Sequence, residues 1–206
     1  MNIISPIRKM SFVSTFILAS NCLPCTHSIN SITKDEFVKV DTTIVVPPKG
    51  TTDISVLSNA PSADVYIKSN LEKAKIVVDL NKNILYKYDD TGTPKEAFLV
   101  ASGKNSTPTD PGIRIVSHVE SYPYRSAPRK TKRRRNPRAY GPNIIILNKL
   151  NITNGVQSSC GEFIHGNKDA SSIGKYASLG GIRMDNDVIK ELSKQVKQGD
   201  IVKIIK

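Results

Sequence analysis

Residues 162–187 read EFIHGNKDASSIGKYASLGGIRMDND, and this stretch decides how the rest of the chain is read. Glu162–His165 is a short β-type run that stops at a glycine, Gly166. A loop leads to the pair Gly180–Gly181, followed at once by Ile182, Arg183 and Met184. Asp185, Asn186 and Asp187 then supply side chains that cap a helix start. Val188, Leu192 and Val196 repeat at i, i+4 and i+8, which puts them on one helical face. Gly199 is placed to end that helix, and DIVKIIK (200–206) reads as a closing strand. Helix capping accounts for the Asp-Asn-Asp triplet without a cation, so no metal or cofactor is expected.

Working back from this stretch, the chain is rich in strands. AKIVVDLNKNILYKYDDTG (74–92) has two β-branched or aromatic runs joined by a polar Asn-Lys-Asn turn, the pattern of a hairpin. EAFLVASG (96–103) reads as another strand. GIRIVSHVES (112–121) alternates apolar and polar residues between Ile113 and Val119, which fits a half-buried strand. NIIIL (143–147) is a continuous apolar run of buried-strand length. One clear helix among this many strands predicts a mainly β fold, a sandwich or barrel-like sheet with a C-terminal helix packed on it. The body is expected to begin near Leu71. Residues 29–70 are rich in Ser, Thr, Pro and Asn, with the turn-forming stretches VVPPKGTTD (45–53) and SNAPSAD (58–64). They read as an N-terminal extension or linker, partly extended and able to pack on the body.

FIHG at 163–166, IG at 173–174 and SLGGIRM at 178–184 together resemble the signature of the L,D-transpeptidases with a YkuD-type catalytic domain. That signature is His-Gly, a spacer, then Ser-His-Gly-Cys-Ile/Val-Arg. His165 and Gly181 lie 16 positions apart, which fits the family spacing. KIVVDLNKNILYKY, FLVASGKNSTPTDPG and YGPNIIIL resemble the family's first hairpin, its Thr-Pro turn and the strand before its histidine. NDVIKEL and VKQGDIVKI resemble its closing helix and strand. The resemblance covers residues 71–206. It implies an exported bacterial enzyme that cross-links peptidoglycan through an acyl-enzyme, with peptidoglycan stem peptides as partners.

The departures fall where the chemistry belongs. The family's cysteine nucleophile aligns with Gly181 and its second histidine with Leu179. Ser178, Gly180, Ile182, Arg183 and His165 match. Acyl transfer of this kind needs a thiolate, an imidazole to take its proton, and N–H groups facing the oxyanion. By the resemblance, His165 is the base, while Ser178, Gly180 and Arg183 are substrate-side residues. Glycine at 181 removes the nucleophile, a loss on the order of 10⁶ in turnover for catalysts of similar logic. Ser178 and Cys160 are the only nearby substitutes. The first is an alcohol needing strong activation, and the second is five residues from His165, roughly 16 Å along an extended strand. His118 and His27 have no motif support.

The first 28 residues carry a basic pair, Arg8–Lys9, an apolar run from Met10 to Ala19, and small residues after it. This is the layout of a secretory signal peptide and predicts export to the periplasm or cell envelope. Cys22 and Cys25 straddle the expected processing site. Cys22 is a candidate for lipid anchoring, and Cys25 is a candidate for pairing with Cys160 in an oxidising compartment.

The formal charge of +12 comes from 30 Lys and Arg against 18 Asp and Glu. Eight of the cations lie between Ser121 and Arg138 with no acid among them, including Arg129, Lys130, Lys132, Arg133, Arg134 and Arg135. No aromatic residue lies between these six, and no nucleic-acid fold surrounds the run, so nucleic acid is not an expected partner. Three readings stand: a solvated loop, a contact for anionic envelope polymer or lipid, or, because the resembled family carries insertions here near its substrate groove, a substrate-side role. The reading that combines these features is an exported L,D-transpeptidase-like protein of peptidoglycan metabolism, impaired at Gly181, that binds stem peptides or partner enzymes. The alternatives are a working transpeptidase or hydrolase with another nucleophile, and a basic envelope-binding protein.

Overall fold

The computed structural model describes residues 46–206. In chain order they contain α1 (Ile54–Leu57), the hairpin β1 (Asp64–Ile67) and β2 (Asn70–Lys73), β3 (Ile76–Asp79), β4 (Ile84–Tyr88), β5 (Pro94–Leu99) and β6 (Ser102–Gly103). After these come β7 (Gly112–Ser121), the single turn α2 (Lys132–Arg135), β8 (Asn143–Leu150), β9 (Gln157–His165), β10 (Tyr176–Ser178), β11 (Ile182–Arg183), α3 (Asn186–Gln195) and β12 (Ile201–Ile205).

Eight strands form one curled, mixed sheet in the order β11-β9-β8-β7-β12-β3-β4-β5. The closing strand β12 is therefore central, antiparallel to β7 and parallel to β3. The fold is mainly β with one substantial C-terminal helix, as the sequence pattern predicts.

Both faces of the sheet are covered, and alternation along the strands explains how. Ile76 and Val78 of β3, Ile145 and Leu147 of β8, and Ile164 of β9 point into one core, where they meet Val188, Ile189 and Leu192 of α3. The Asp185 side chain caps that helix by accepting from the N–H groups of Asp187 and Val188. The helix ends at Gln195, with Val196 buried just beyond it, and Gly199 falls in the turn before β12. On the opposite face, Val77, Tyr86 and Ala97 pack against Val46, Val56, Ala63 and Val65. Residues 46–70 thus supply part of the core of this unit. Sequence composition alone reads them as an extension because their apolar residues are sparse between turn signals.

Ile144 and Ile146 face the second side of β8, where Tyr124, Ala127, Tyr140 and Phe163 cover them. This double burial is why NIIIL is a continuous apolar run. β9 is longer than the expected Glu162–His165 run because its first half, exposed at Gln157–Ser159, carries no apolar signal.

The alternation read for Ile113–Val119 is modified. β7 is a strand, but its register shifts between Val116 and His118, and the buried residues are Arg114, Val116 and Glu120. Arg114 is 2 % exposed and forms a bidentate ion pair with Glu162 of β9, and its guanidinium also donates to the Asp110 carbonyl. A buried guanidinium left without its carboxylate is costly. Glu162→Ala is therefore expected to lower the free energy of unfolding by about 3 kcal/mol in urea titrations, and the double change Arg114→Met/Glu162→Leu to recover most of the loss.

Candidate active-site cavity

Strand alternation aims Phe163 and His165 away from the α3 core and toward the face covered by the basic segment. β11 pairs in parallel with the end of β9, Ile182 against Ile164 and Arg183 against His165. This pairing carries the Ser178–Gly181 turn to the imidazole. Main-chain hydrogen bonds from Met184 N to His165 O (2.8 Å) and between Ala101 and Arg183 in both directions (2.8 Å) extend the ladder.

The corner beyond His165 is held by close packing. The Asn167 N–H donates to Asn186 Oδ1 (2.9 Å), and Asn186 Nδ2 donates back to the Asn167 carbonyl (2.9 Å). A Cβ on Gly166 would overlap Asn186 Oδ1 and approach Pro142 Cδ to 2.9 Å, so the glycine after the histidine is required by space.

The turn itself is pinned from below by the loop after β6. Thr109 Oγ1 donates to the Gly180 carbonyl (2.9 Å) and accepts from Gly103 N–H (2.9 Å). Thr107 Oγ1 and Lys104 N–H both donate to the Ser178 carbonyl. Gly180 has φ +109°, where side chains are strained, which explains its identity. Ser178 is buried. Its hydroxyl donates to the Gly181 carbonyl and accepts from Gly180 N–H at 3.1 Å, both within the turn. It makes no hydrogen bond to His165.

Gly181 is different from its neighbour. Its φ lies outside the left-handed region, so the backbone there accepts any L residue. A Cβ at this position would stand 3.4 Å from His165 Nε2 and 3.6 Å from Cδ2, with Phe163 O at 3.2 Å. A side chain at this position would face the imidazole, and its Cβ would be accommodated if the Phe163 carbonyl gave way by a few tenths of an ångström.

His165 is 6 % exposed. Its Nδ1 lies 2.5 Å from the Gly166 carbonyl. A carbonyl only accepts, so Nδ1 carries the proton and the neutral ring leaves the Nε2 lone pair directed at Gly181. Burial pushes the imidazole down to about 4; the bond to the Gly166 carbonyl opposes this, and the Arg183 charge adds to it. The ring of Tyr140 leans on it, centroids 5.0 Å apart.

Around this pair lies a cavity of about 590 Å³, lined by Ser178, Leu179, Gly181, Arg183, Phe163 and Tyr140, and also by Lys132, Arg135 and Asn136 of the basic segment. His165, Ser178, Gly181 and Arg183 are thus brought together, with Leu179 exposed at the mouth. Gly180 supplies turn geometry. Cys160 is not in this group. It packs against the α3-side core, donates to the Leu147 carbonyl, and burial raises its pKa. Tyr140 and Phe163 are cavity residues that sequence reasoning did not single out, and Lys132 and Arg135, read from sequence only as part of the basic run, also line the cavity. Only their place in the fold, on the far side of β8 and β9, reveals them.

The basic segment is anchored. Arg133 donates two hydrogen bonds to buried Glu120 and lies over the Phe163 ring at 5.4 Å. Burial pushes the Glu120 carboxyl up, but the Arg133 contacts outweigh it and hold the group below its ordinary range. Arg133 is therefore a structural cation, half-buried, and not a free one.

A curled mixed sheet carrying a histidine and a glycine turn at the end of parallel strands defines the class, and the family follows. The model of the L,D-transpeptidase catalytic domain (YkuD) matches residues 73–204, and the chain belongs to that family. Among solved structures, Bd1075 of Bdellovibrio bacteriovorus is 21 % identical with a TM-score of 0.50, over 71 % of this chain and 53 % of that one. A mutant L,D-transpeptidase of Enterococcus faecium is 25 % identical with a TM-score of 0.47, over 65 % and 50 % respectively. An L,D-transpeptidase from Mycobacterium smegmatis is 16 % identical with a TM-score of 0.44, over 71 % and 69 %. The chain spans about half the length of the first two. No curated protein matches it.

The depressed His165 has a measurable consequence. In the unfolded chain the imidazole is protonated below about 6.5, whereas in the fold it is protonated only below about 4. Its contribution to stability is thus complete above the unfolded value, declines as pH falls from 6.5 to about 4, and changes no further below that. Stability curves of the protein and of His165→Gln should differ in slope within that window, by up to about 3 kcal/mol in total.

Proposed function

We propose that the chain is an exported, non-acylating member of its family that binds peptidoglycan stem peptides in the His165–Arg183 cavity. The family match supports a place in peptidoglycan metabolism. One observation carries the rest: the imidazole is poised with Nε2 toward position 181, and nothing there can take up an acyl group. Ser178 and Cys160 are both committed to other contacts. Attack on a peptide carbonyl therefore lacks a participant, while the parts that hold a ligand remain. Arg183 suits a carboxylate by its planar, two-pronged donor set, and Leu179, Tyr140 and Phe163 offer apolar surface. Export rests on the Arg8–Lys9 pair and the apolar run after it, which lie outside the described residues, as do Cys22 and Cys25.

Mass spectrometry after incubation with a tetrapeptide donor and with a carbapenem tests the reading. The protein is expected to stay at its unmodified mass while still binding the tetrapeptide in calorimetry. Gly181→Cys, alone or with Leu179→His, is expected to gain a covalent adduct on the new thiol. An adduct on Ser178 or Cys160 of the unaltered protein would overturn the proposal.

A further inference from the structure

Three cations line the cavity, Lys132 and Arg135 from α2 and Arg183 from β11, and no acidic residue lines it. None of the three forms an ion pair among the described residues. The charges that hold the surrounding structure are already paired. The Arg133–Glu120 bond holds the segment in place, and Arg114 is matched by Glu162. The imidazole is neutral above about 4 and adds no charge at ordinary pH. The cavity therefore concentrates positive potential between partly apolar walls, where it is screened less than on an open surface.

From this we infer that the cavity selects a peptide with two free carboxylates, one bound by Arg183 and the other by Lys132 and Arg135. The inference rests on the stem-peptide reading and deepens it. A single carboxylate leaves one set of cations unmatched, and two satisfy both. The peptide class is favoured over a small inorganic dianion because Tyr140, Phe163 and Leu179 give the cavity apolar surface that a phosphate group would not use. The basic run Arg129–Arg135 thereby divides by function. Arg133 anchors, Lys132 and Arg135 face the ligand, and Arg129 and Lys130 are solvent-exposed.

Calorimetry on the full-length protein tests this with a pair of tetrapeptides, one with two free carboxylates and the other with the side-chain carboxylate amidated. Amidation is expected to weaken binding by the protein roughly tenfold, the scale of one charge-assisted contact. In Lys132→Ala/Arg135→Ala the two peptides should bind alike, at the weaker affinity. Lys132 and Arg135 are exposed, and Arg133 is left intact, so the segment keeps its anchor; circular dichroism and thermal melting of the variant verify the fold. Equal affinity of the unaltered protein for both peptides would overturn the dicarboxylate inference and leave the stem-peptide reading standing. Failure of both peptides to bind would overturn both. Inorganic pyrophosphate binding more tightly than the dicarboxylate peptide, and displacing it, would assign the cavity to a phosphate ligand and overturn the inference.

Discussion

Two residues of parallel pairing, Ile182 on Ile164 and Arg183 on His165, support everything the site does. They join segments separated by a 16-residue spacing in sequence and place the Ser178–Gly181 turn against the imidazole. The pairing is held from three directions. Ile164 and Ile182 are buried in the α3-side core, the Asn167–Asn186 bonds tie the end of β9 to the helix start, and the Thr107–Thr109 loop grips the turn. The polar contacts among these run through main chain and short side chains, so little freedom is left for the turn to drift.

Within that frame the histidine is prepared for proton transfer. Its tautomer is set by a carbonyl, its charge is suppressed by burial, and its free nitrogen faces position 181. A neutral, oriented base is what activation of a thiol requires. The backbone conformation at 181 is open to an L residue, unlike that at Gly180, with the Phe163 carbonyl 3.2 Å from where a Cβ at 181 would stand. The lack of a side chain at 181 removes the reacting group from a turn whose φ would admit one.

The basic segment adds a second layer. A run of eight cations in one loop would ordinarily repel itself and remain solvated. Here Glu120, buried on β7, neutralises one cation and fastens the loop over Ile144, Ile146 and Phe163. The aromatic chain Tyr122, Tyr124, Tyr140 and Phe163, each pair edge to face, continues that contact to the imidazole. The cavity is therefore built jointly by the family's motif strands and by a segment outside the motif.

The sequence by itself determined the strands and the capped helix, because these depend on local periodicity, and its resemblance to the L,D-transpeptidase motif pointed to the family and to His165, Ser178, Gly181 and Arg183 as site candidates. It did not determine that residues 46–70 complete a core, that Arg114 and Glu120 are buried, or that Lys132 and Arg135 line the same cavity as His165. Those facts depend on which face of a strand meets which distant segment. At β7 the buried residues include Arg114 and Glu120, which alternation alone places outward. Long-range pairing has no local signature in a single chain, so only the tertiary structure decides which charges are matched in the fold and which are left to meet a ligand.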